Sequence, residues 1–453
     1  MEQFSDLGDW WLPDDPSETV SGEIEYSPTE GVELSLNGRL ASDEPEVTHP
    51  FEEEVENRVP VLHGYLADGD KVTILNGLQV SAQFGQGPVA EGYIAAGVFV
   101  GEHFGEDKEF SRMWLGIEDL HKWIGESTVR PVIDTEFLED SDEVHEEVDT
   151  AYFVTPKKSY TADLPGAEIE LSTGTSISGT PYSVELESVG GINIHPSRDE
   201  GFHDLYDMAM DVLRYVSFGV GRGVYPEKIS LYDDEERANP IRAYWTIPNY
   251  GSSPELSRFN IFSPSEIGFD ESLNEWLDHR ADAPVFHEQH DLLLHGPELT
   301  PRLKFMTIVI ALESYYDAHF EDASFVSDEE FSELKSDILD LVPDGSPLQN
   351  QMYGLLENVV NEPSLKGKLE ALIESEEDIF NLFFETEATV SKARNHRNKI
   401  AHGIESVDNS EVSILMRRLR LVMETILLRD IGASEDLIMQ SMANRYSGLY
   451  DQG

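Results

Sequence analysis

The stretch that decides how this chain is interpreted lies near its C-terminus and reads Ala393-Arg394-Asn395-His396-Arg397-Asn398-Lys399-Ile400-Ala401-His402-Gly403. It gathers positive charge in a chain whose formal net charge is −58. The pattern predicts a helix that ends at Gly403, because glycine commonly follows the last helical turn. Within it, an imidazole that can exchange protons follows a guanidinium that can hold phosphate oxygens. Arg397 and His402 therefore have the chemistry to cleave a phosphodiester through its own 2′-hydroxyl, without a metal.

The spacing of this pair does not by itself build a site. Asn398 and His402 are four residues apart and share a helix face, and Arg394 lies within a right angle of them. Arg397 lies about 140° around the helix from His402. We therefore expect the motif to line a cleft between helices or subunits.

Composition predicts a folded protein with an acidic surface. Hydrophobic residues make up 40% of the 453 residues, and 89 Asp and Glu stand against 31 Lys and Arg. We interpret the acidity as adaptation to molar salt, where charges are screened within about 3 Å. Between residues 390 and 430, however, the sequence has eight Lys and Arg residues and five Asp and Glu residues, which gives a net charge of +3. A nucleic acid partner is therefore not excluded.

Several classes of site and location are disfavoured. The chain has no cysteine, which excludes disulfides, thiolate nucleophiles and cysteine-bound zinc. His287, His290 and His295 are close in sequence, but their spacing matches no metal-site pattern. We expect no metal and no cofactor. No signal peptide and no apolar run near 18 residues is seen, so we predict a cytoplasmic protein that does not enter the membrane.

Hydrophobic periodicity predicts an α+β protein with a β-rich N-terminal region and an all-α, C-terminal helical bundle. We place the boundary between residues 1–285 and 286–453, with a subdivision of the first part near 130–200. Trp10 and Trp11 are expected to cap a sheet rather than stack on a ligand. The apolar run Tyr93 to Val100 predicts one central strand.

Helical spacing predicts two helices in the N-terminal part, the second of which is stopped by a glycine-rich segment, and a continuous series after Pro284. The predicted helices are Ile117 to Trp123, Phe202 to Phe218, Arg302 to Phe320, Asp328 to Leu341, Pro347 to Val360, Glu376 to Phe384, Glu387 to His402, Ser410 to Asp430 and Ser434 to Tyr446.

With both halves in view, the chain resembles the ApeA family of anti-phage HEPN proteins. In the C-terminal part the resemblance rests on the motif from Arg397 to His402 and on Ala311-Leu312-Glu313. In the N-terminal part it rests on segments that occur in the family's order: Trp10-Trp11-Leu12-Pro13, Val20-Ser21-Gly22-Glu23-Ile24, Gly31-Val32-Glu33-Leu34-Ser35-Leu36-Asn37-Gly38, Val72-Thr73-Ile74-Leu75 and Val98-Phe99-Val100-Gly101-Glu102-His103-Phe104.

The resemblance implies abortive-infection defence, in which the N-terminal region senses a phage-derived trigger or restrains the enzyme. The HEPN domain would be an endoribonuclease that cuts RNA, with tRNA as one candidate. HEPN ribonucleases commonly pair their motifs across a dimer, so we expect a homodimer through the C-terminal domain. Its apolar contacts would come from the helices Arg302 to Phe320 and Ser410 to Asp430, unless those stripes are buried within one bundle.

Roles follow for the residues of the motif. Arg397 would stabilise the phosphate, His402 would act as general acid or base, and Asn398 would orient one of them. Glu313 would hold Arg397, or would be a structural or surface residue.

RNA contacts are predicted for three further residues: Arg394, Lys399 and His396. Arg394 is also the alternative to Arg397 as the active arginine. The competing hypothesis is a non-catalytic HEPN module that binds a nucleotide or a partner. An active site requires an exposed His402, whereas a structural pair would be buried and saturated with hydrogen bonds.

Overall fold

The N-terminal half is built on antiparallel strands whose side chains alternate between core and solvent. The structure, a computed structural model, describes residues 1–40, 58–83, 90–118, 120–125, 129–132, 151–154, 157–180, 183–233, 240–251, 260–320, 326–342, 350–354, 361, 363–403 and 408–452. It separates into two units, one of residues 1–276 and 294–297 and one of residues 277–293 and 298–453. The boundary predicted at 285/286 falls inside the short segment that the second unit takes from this junction.

The strands of the first unit are β1 (Phe4–Trp11), β2 (Val20–Ser27), β3 (Gly31–Leu36), β4 (Arg58–Leu66), β5 (Lys71–Gln83), β6 (Ala90–Ala95), β7 (Gly97–Val100), β8 (Glu109–Phe110), β9 (Arg112–Ile117), β10 (Val129–Val132), β11 (Ala151–Val154), β12 (Lys158–Leu164), β13 (Ala167–Thr180), β14 (Ser183–Pro196), β15 (Glu200–Gly201), β16 (Pro226–Tyr232) and β17 (Ile241–Trp245). Thirteen of them form one sheet in the order β12-β13-β14-β9-β16-β17-β7-β5-β4-β1-β2-β3-β6. Because β5 also pairs with β6, strands β1 to β6 close into a barrel. Strands on both sides of the predicted subdivision near 130–200 thus share this sheet.

The tryptophan pair at the start of the chain is buried on the two opposite faces of strand β1. Trp10 is fully buried and Trp11 is 7% exposed, which confirms their structural role. Trp10 packs so closely on β4 that a Cβ at Gly64 would lie 2.5 Å from its ring. Glycine is therefore required at that position, because a larger residue would displace the indole.

One strand prediction is wrong. The run Tyr93 to Val100 forms two strands that break at Ala96, because β6 pairs with β3 and β5, whereas β7 pairs with β5 and β17. A continuous apolar sequence cannot show that the chain changes its pairing partners at this point.

The helices of the structure are α1 (Leu120–Ile124), α2 (Phe202–Val220), α3 (Pro264–Ile267), α4 (Phe269–Asp282), α5 (Pro284–His295), α6 (Pro301–His319), α7 (Asp328–Asp340), α8 (Leu365–Glu374), α9 (Glu377–Phe380), α10 (Thr386–Ala401), α11 (Asn409–Asp430) and α12 (Glu435–Tyr446). A 3-10 helix, Ser447–Gln452, follows α12. Residues 350–354 are helical, and the rest of the helix predicted from Pro347 to Val360 lies outside the described residues.

These helices confirm the α+β fold class and most of the predicted helices. Helix α2 ends at Gly221, where φ is +78°, so the glycine-rich segment is a helix stop. The helical series begins earlier than predicted, at Pro264, because α3 carries a Ser263–Glu266 capping box and α4 buries Phe269, Leu273 and Trp276. Helix α8 was not predicted.

The second unit is a helical bundle centred on α6 and α11. Helix α6 packs on α8, α10 and α11, and α11 also packs on α10 and α12. The stripe on α11 proposed from the sequence for dimer contacts is buried inside this bundle; its residues are Leu415, Leu419, Val422, Met423 and Ile426. The dimer contact expected of α11 is therefore wrong, and the alternative of burial within one bundle holds for this helix, since a buried face cannot contact a second chain. Helix α6, in contrast, leaves Leu303 and Ile310 exposed by 54% and 43%.

Candidate active site on helix α10

The helix that carries the motif has defined ends. At its start, the Glu385 side chain accepts a hydrogen bond of 2.7 Å from the Ala388 amide. At its end, His402 is the C-terminal cap and Gly403 adopts φ +67°. The stop predicted at Gly403 is therefore correct, and the reason is the left-handed conformation that glycine adopts at little steric cost.

Helix α10 has one buried face and one polar face. Thr389, Val390, Ala393 and His396 are buried against the bundle. The residues exposed on the other side are Arg394, Asn395, Asn398 and His402. Most of the predicted site residues therefore lie where a substrate can reach them.

His402 is exposed at the end of the helix, and its main-chain amide donates to the Asn398 carbonyl at 3.0 Å. Within the described part of the chain, the structure assigns no hydrogen bond to its imidazole. The ring nitrogens are thus placed for proton exchange with a bound molecule. The exposed Asn398 precedes it by one turn and on the same face.

Arg397 faces helix α6. Its Nη2 lies 3.9 Å from Oε2 of Glu313, and the two side chains are 38% and 26% exposed. This separation is longer than a hydrogen bond, so Glu313 orients the guanidinium by charge, and among the described residues no hydrogen bond is assigned to the N–H groups of Arg397. Burial raises the pKa of Glu313 above its ordinary value, although Arg397 and Lys368 act in the opposite direction. The structure thus brings together the Glu313 and Arg397 that the sequence proposed as partners.

The residues predicted to contact RNA divide into two groups. Arg394 is exposed and donates from Nη2 to Oδ1 of Asn395 at 3.1 Å, and Lys399 is half-buried. His396 is only 5% exposed, and its Nε2 lies 2.8 Å from Oε2 of Glu411. The predicted RNA contact of His396 is therefore corrected, because a side chain packed inside the bundle does not reach a substrate.

A cation that was not predicted from the sequence lies near the site. Lys368 on α8 is buried, pairs with Asp317 and lies 5.8 Å from the centre of the Tyr316 ring. It acts electrostatically on Glu313, one of the two residues of the pair described above. Ser364 caps α8 at the Gly367 amide, and this serine was the available signal for the helix.

The histidines considered for metal binding do not form a ligand set. His287 is buried and lies 2.7 Å from Nδ1 of His279, whose Nε2 lies 3.1 Å from Asp430. Burial, with the charges of His279 and other neighbours, lowers the pKa of His287 to about 2. His295 belongs to the other unit. Among the described residues, no group of three or more His, Asp or Glu side chains has the arrangement of a metal site.

The fold and the site together define a class of domain: a helical bundle that carries an exposed Arg–His motif at the end of a helix. Family models agree with this class: ApeA N-terminal domain 1 matches residues 7–276, and Apea-like HEPN matches residues 306–437. The chain belongs to the ApeA family of anti-phage HEPN effectors. Comparison with curated proteins gives no match, and neither does comparison with solved structures. Within the described ranges, no helix combines the length and apolar character needed to span a bilayer.

Proposed function

We propose that the chain is a metal-independent endoribonuclease that acts in abortive infection. The observation that carries this proposal is the exposed His402 at the end of α10, five residues after a half-exposed Arg397 that Glu313 holds at 3.9 Å. A structural pair would be buried and saturated with hydrogen bonds. The exposure of both groups therefore favours catalysis over the non-catalytic module.

In the proposed reaction, the 2′-hydroxyl of the substrate attacks the adjacent phosphorus and the bond to the 5′-oxygen breaks. A base removes the proton of the 2′-hydroxyl, and an acid protonates the leaving 5′-oxygen. His402 acts in one of these two roles, since imidazole can exchange protons near neutral pH. Arg397 stabilises the charge on the phosphate oxygens, and Asn398 orients the reacting groups. The products are a 2′,3′-cyclic phosphate and a 5′-hydroxyl.

The substrate we propose is RNA, with tRNA as a candidate. Arg394 and Lys399 extend the positive charge from Arg397 along α10, which would bind the phosphates on either side of the cleaved bond. The N-terminal region would sense a phage-derived trigger or restrain the nuclease.

We also propose a homodimer through the C-terminal domain. The end of a single helix α10 carries too little positive charge to bind a polyanion tightly. Two such ends related by a two-fold axis would double that charge. The exposed Leu303 and Ile310 lie on α6, the helix that also carries Glu313, and would provide apolar contacts for this association. Two-fold dimers are also the commonest closed assembly.

Sequencing of RNA ends after expression tests the proposed function. The intact protein should produce new ends, and His402→Ala should produce none. His319→Ala is the matched control, because His319 is also an exposed histidine at the end of a helix in the same domain, and it should cleave like the intact protein. Equal cleavage by His402→Ala, in a folded protein, would contradict the assignment.

A further inference from the structure

One carboxylate on α11 contacts two successive turns of helix α10, in addition to the hydrogen bond of 3.1 Å that Nη1 of Arg418 donates to Oγ1 of Thr389. Oε1 of Glu411 lies 3.0 Å from Nζ of Lys392, and Oε2 lies 2.8 Å from Nε2 of His396. Lys392 and His396 are four residues apart and therefore occupy neighbouring turns on one side of the helix. Glu411 itself lies in the first turn of α11, which Asp408 caps by accepting from the Ser410 amide at 2.9 Å.

Two attachment points restrict the helix in a way that one point does not. A single hydrogen bond lets a helix pivot, whereas two bonds from one planar carboxylate limit both rotation about the axis and sliding along it. Both bonds also favour the ionised carboxylate: the hydrogen bonds from Lys392 and His396 lower the pKa of Glu411. His396 is 5% exposed, so one of the two attachments is protected from water.

The residue that follows His396 is Arg397, and it contacts a different helix. The rotation of α10 therefore sets how Arg397 meets Glu313 on α6 and where His402 lies at the helix end. A side chain tip lies about 6 Å from a helix axis, so a rotation of 15° would move it by about 1.5 Å. Misplacement by about 1 Å can lower a rate by about 100-fold.

We propose that Glu411 is a positioning residue for the Arg397/His402 site, which it serves by fixing the rotation of α10 through Lys392 and His396. This inference rests on the proposed ribonuclease function. If Glu411 has this role, the buried His396 and the more exposed Lys392 both hold helix α10 in place, and Lys392 does not contact the substrate.

The test compares Glu411→Gln with Glu385→Gln in the full chain. Glutamine keeps the size of Glu411 but has one acceptor oxygen and no charge, so it loses one of the two hydrogen bonds that the carboxylate accepts and weakens the attachment. Glu385→Gln weakens the same helix at its capped end and leaves both attachments in place. We expect Glu411→Gln to lower kcat by about 10- to 100-fold with KM within about threefold, and Glu385→Gln to leave both close to the original values. Lys392→Gln removes the more exposed attachment and should lower kcat in the same direction.

A second measurement does not depend on activity. The chain has no cysteine, so nitroxide labels can be placed on Asn395→Cys and Ala318→Cys alone, at two exposed positions on α10 and α6. We expect the distance distribution between the labels to shift or broaden with Glu411→Gln and to stay unchanged with Glu385→Gln. An unchanged distribution, or a folded Glu411→Gln protein with the original kcat, would overturn the proposal. If the intact protein cleaves no RNA, the proposed function fails, and the label distances still decide the role of Glu411.

Discussion

Replacement of Glu424 by glutamine should remove a large, pH-dependent part of the stability of the helical bundle. Glu424 is fully buried on α11. Oε1 of Glu424 accepts from Nε of Arg420 at 2.8 Å, and Oε2 accepts from Nε of Arg445 at 3.1 Å and from the Tyr446 hydroxyl at 2.8 Å. Arg445 and Tyr446 belong to α12, so this carboxylate attaches α12 to α11. Burial alone would raise the pKa of Glu424, but the two guanidiniums outweigh burial and lower it to about 2.

The magnitude follows from this lowered pKa. The ordinary value is 4.5, so the difference between the unfolded and folded states is about 2.5 pKa units, or about 3 kcal/mol at about 1.4 kcal/mol per unit. A group whose pKa is lowered by folding contributes stability above its unfolded pKa and loses it as the pH falls toward its folded pKa. The contribution of Glu424 should therefore be complete above about pH 5 and should disappear between about pH 5 and pH 2.

Urea unfolding at pH 7 and at pH 3, with hydrogen exchange of residues 435–446, measures this contribution. At pH 7, Glu424→Gln should lower the free energy of unfolding by about 3 kcal/mol and increase exchange in α12. At pH 3 the difference from the intact protein should shrink. Glu435→Gln, which makes the same change at an exposed position of α12, should have little effect at either pH. A difference between Glu424→Gln and the intact protein that is constant across this pH range would refute the reasoning.

Three further predictions concern the site. Arg397→Ala should lower the cleavage rate by about 100-fold or more in a folded protein, whereas Arg394→Ala should mainly raise KM; a larger loss of kcat with Arg394→Ala would transfer the phosphate role to Arg394. Cleavage should persist in a chelator and leave 2′,3′-cyclic phosphate or 3′-phosphate ends, and analysis of the ends would contradict the mechanism if it found 5′-phosphates formed only with magnesium. Sedimentation in molar salt should detect a dimer that Ile310→Glu dissociates, and an active monomer at assay concentrations would argue against the shared cleft.

The sequence predicted the fold class and the ends of the motif helix because both depend on local signals. Gly403 marks the end of α10, and the apolar periodicity marks α6 and α11. The break at Ala96 could not be predicted, since it depends on which distant strands pair with β6 and β7. The start of the helices was missed although a signal was present, namely the Ser263–Glu266 capping box.

The same distinction applies to the candidate site. The burial of His396 was predictable, because it falls on the face that Thr389 and Ala393 share at helical spacing. That His396 pairs with Glu411 could not be predicted, since a residue beyond the end of α10 can pack against any side of that helix. The contact between Arg397 and Glu313 joins residues 84 positions apart, and only the family resemblance suggested it from sequence.

The division of cations along α10 bears on how so acidic a protein would hold RNA. With a net charge of −58, the chain as a whole repels a polyanion. In molar salt this repulsion would be screened within about 3 Å, so RNA binding would depend on the few cations that touch the substrate. Lys392 is paired with Glu411, which leaves Arg394, Arg397 and Lys399 for that task. Three such groups on one helix give a narrow contact, and this favours a cleft formed by two copies of α10 over a broad basic surface.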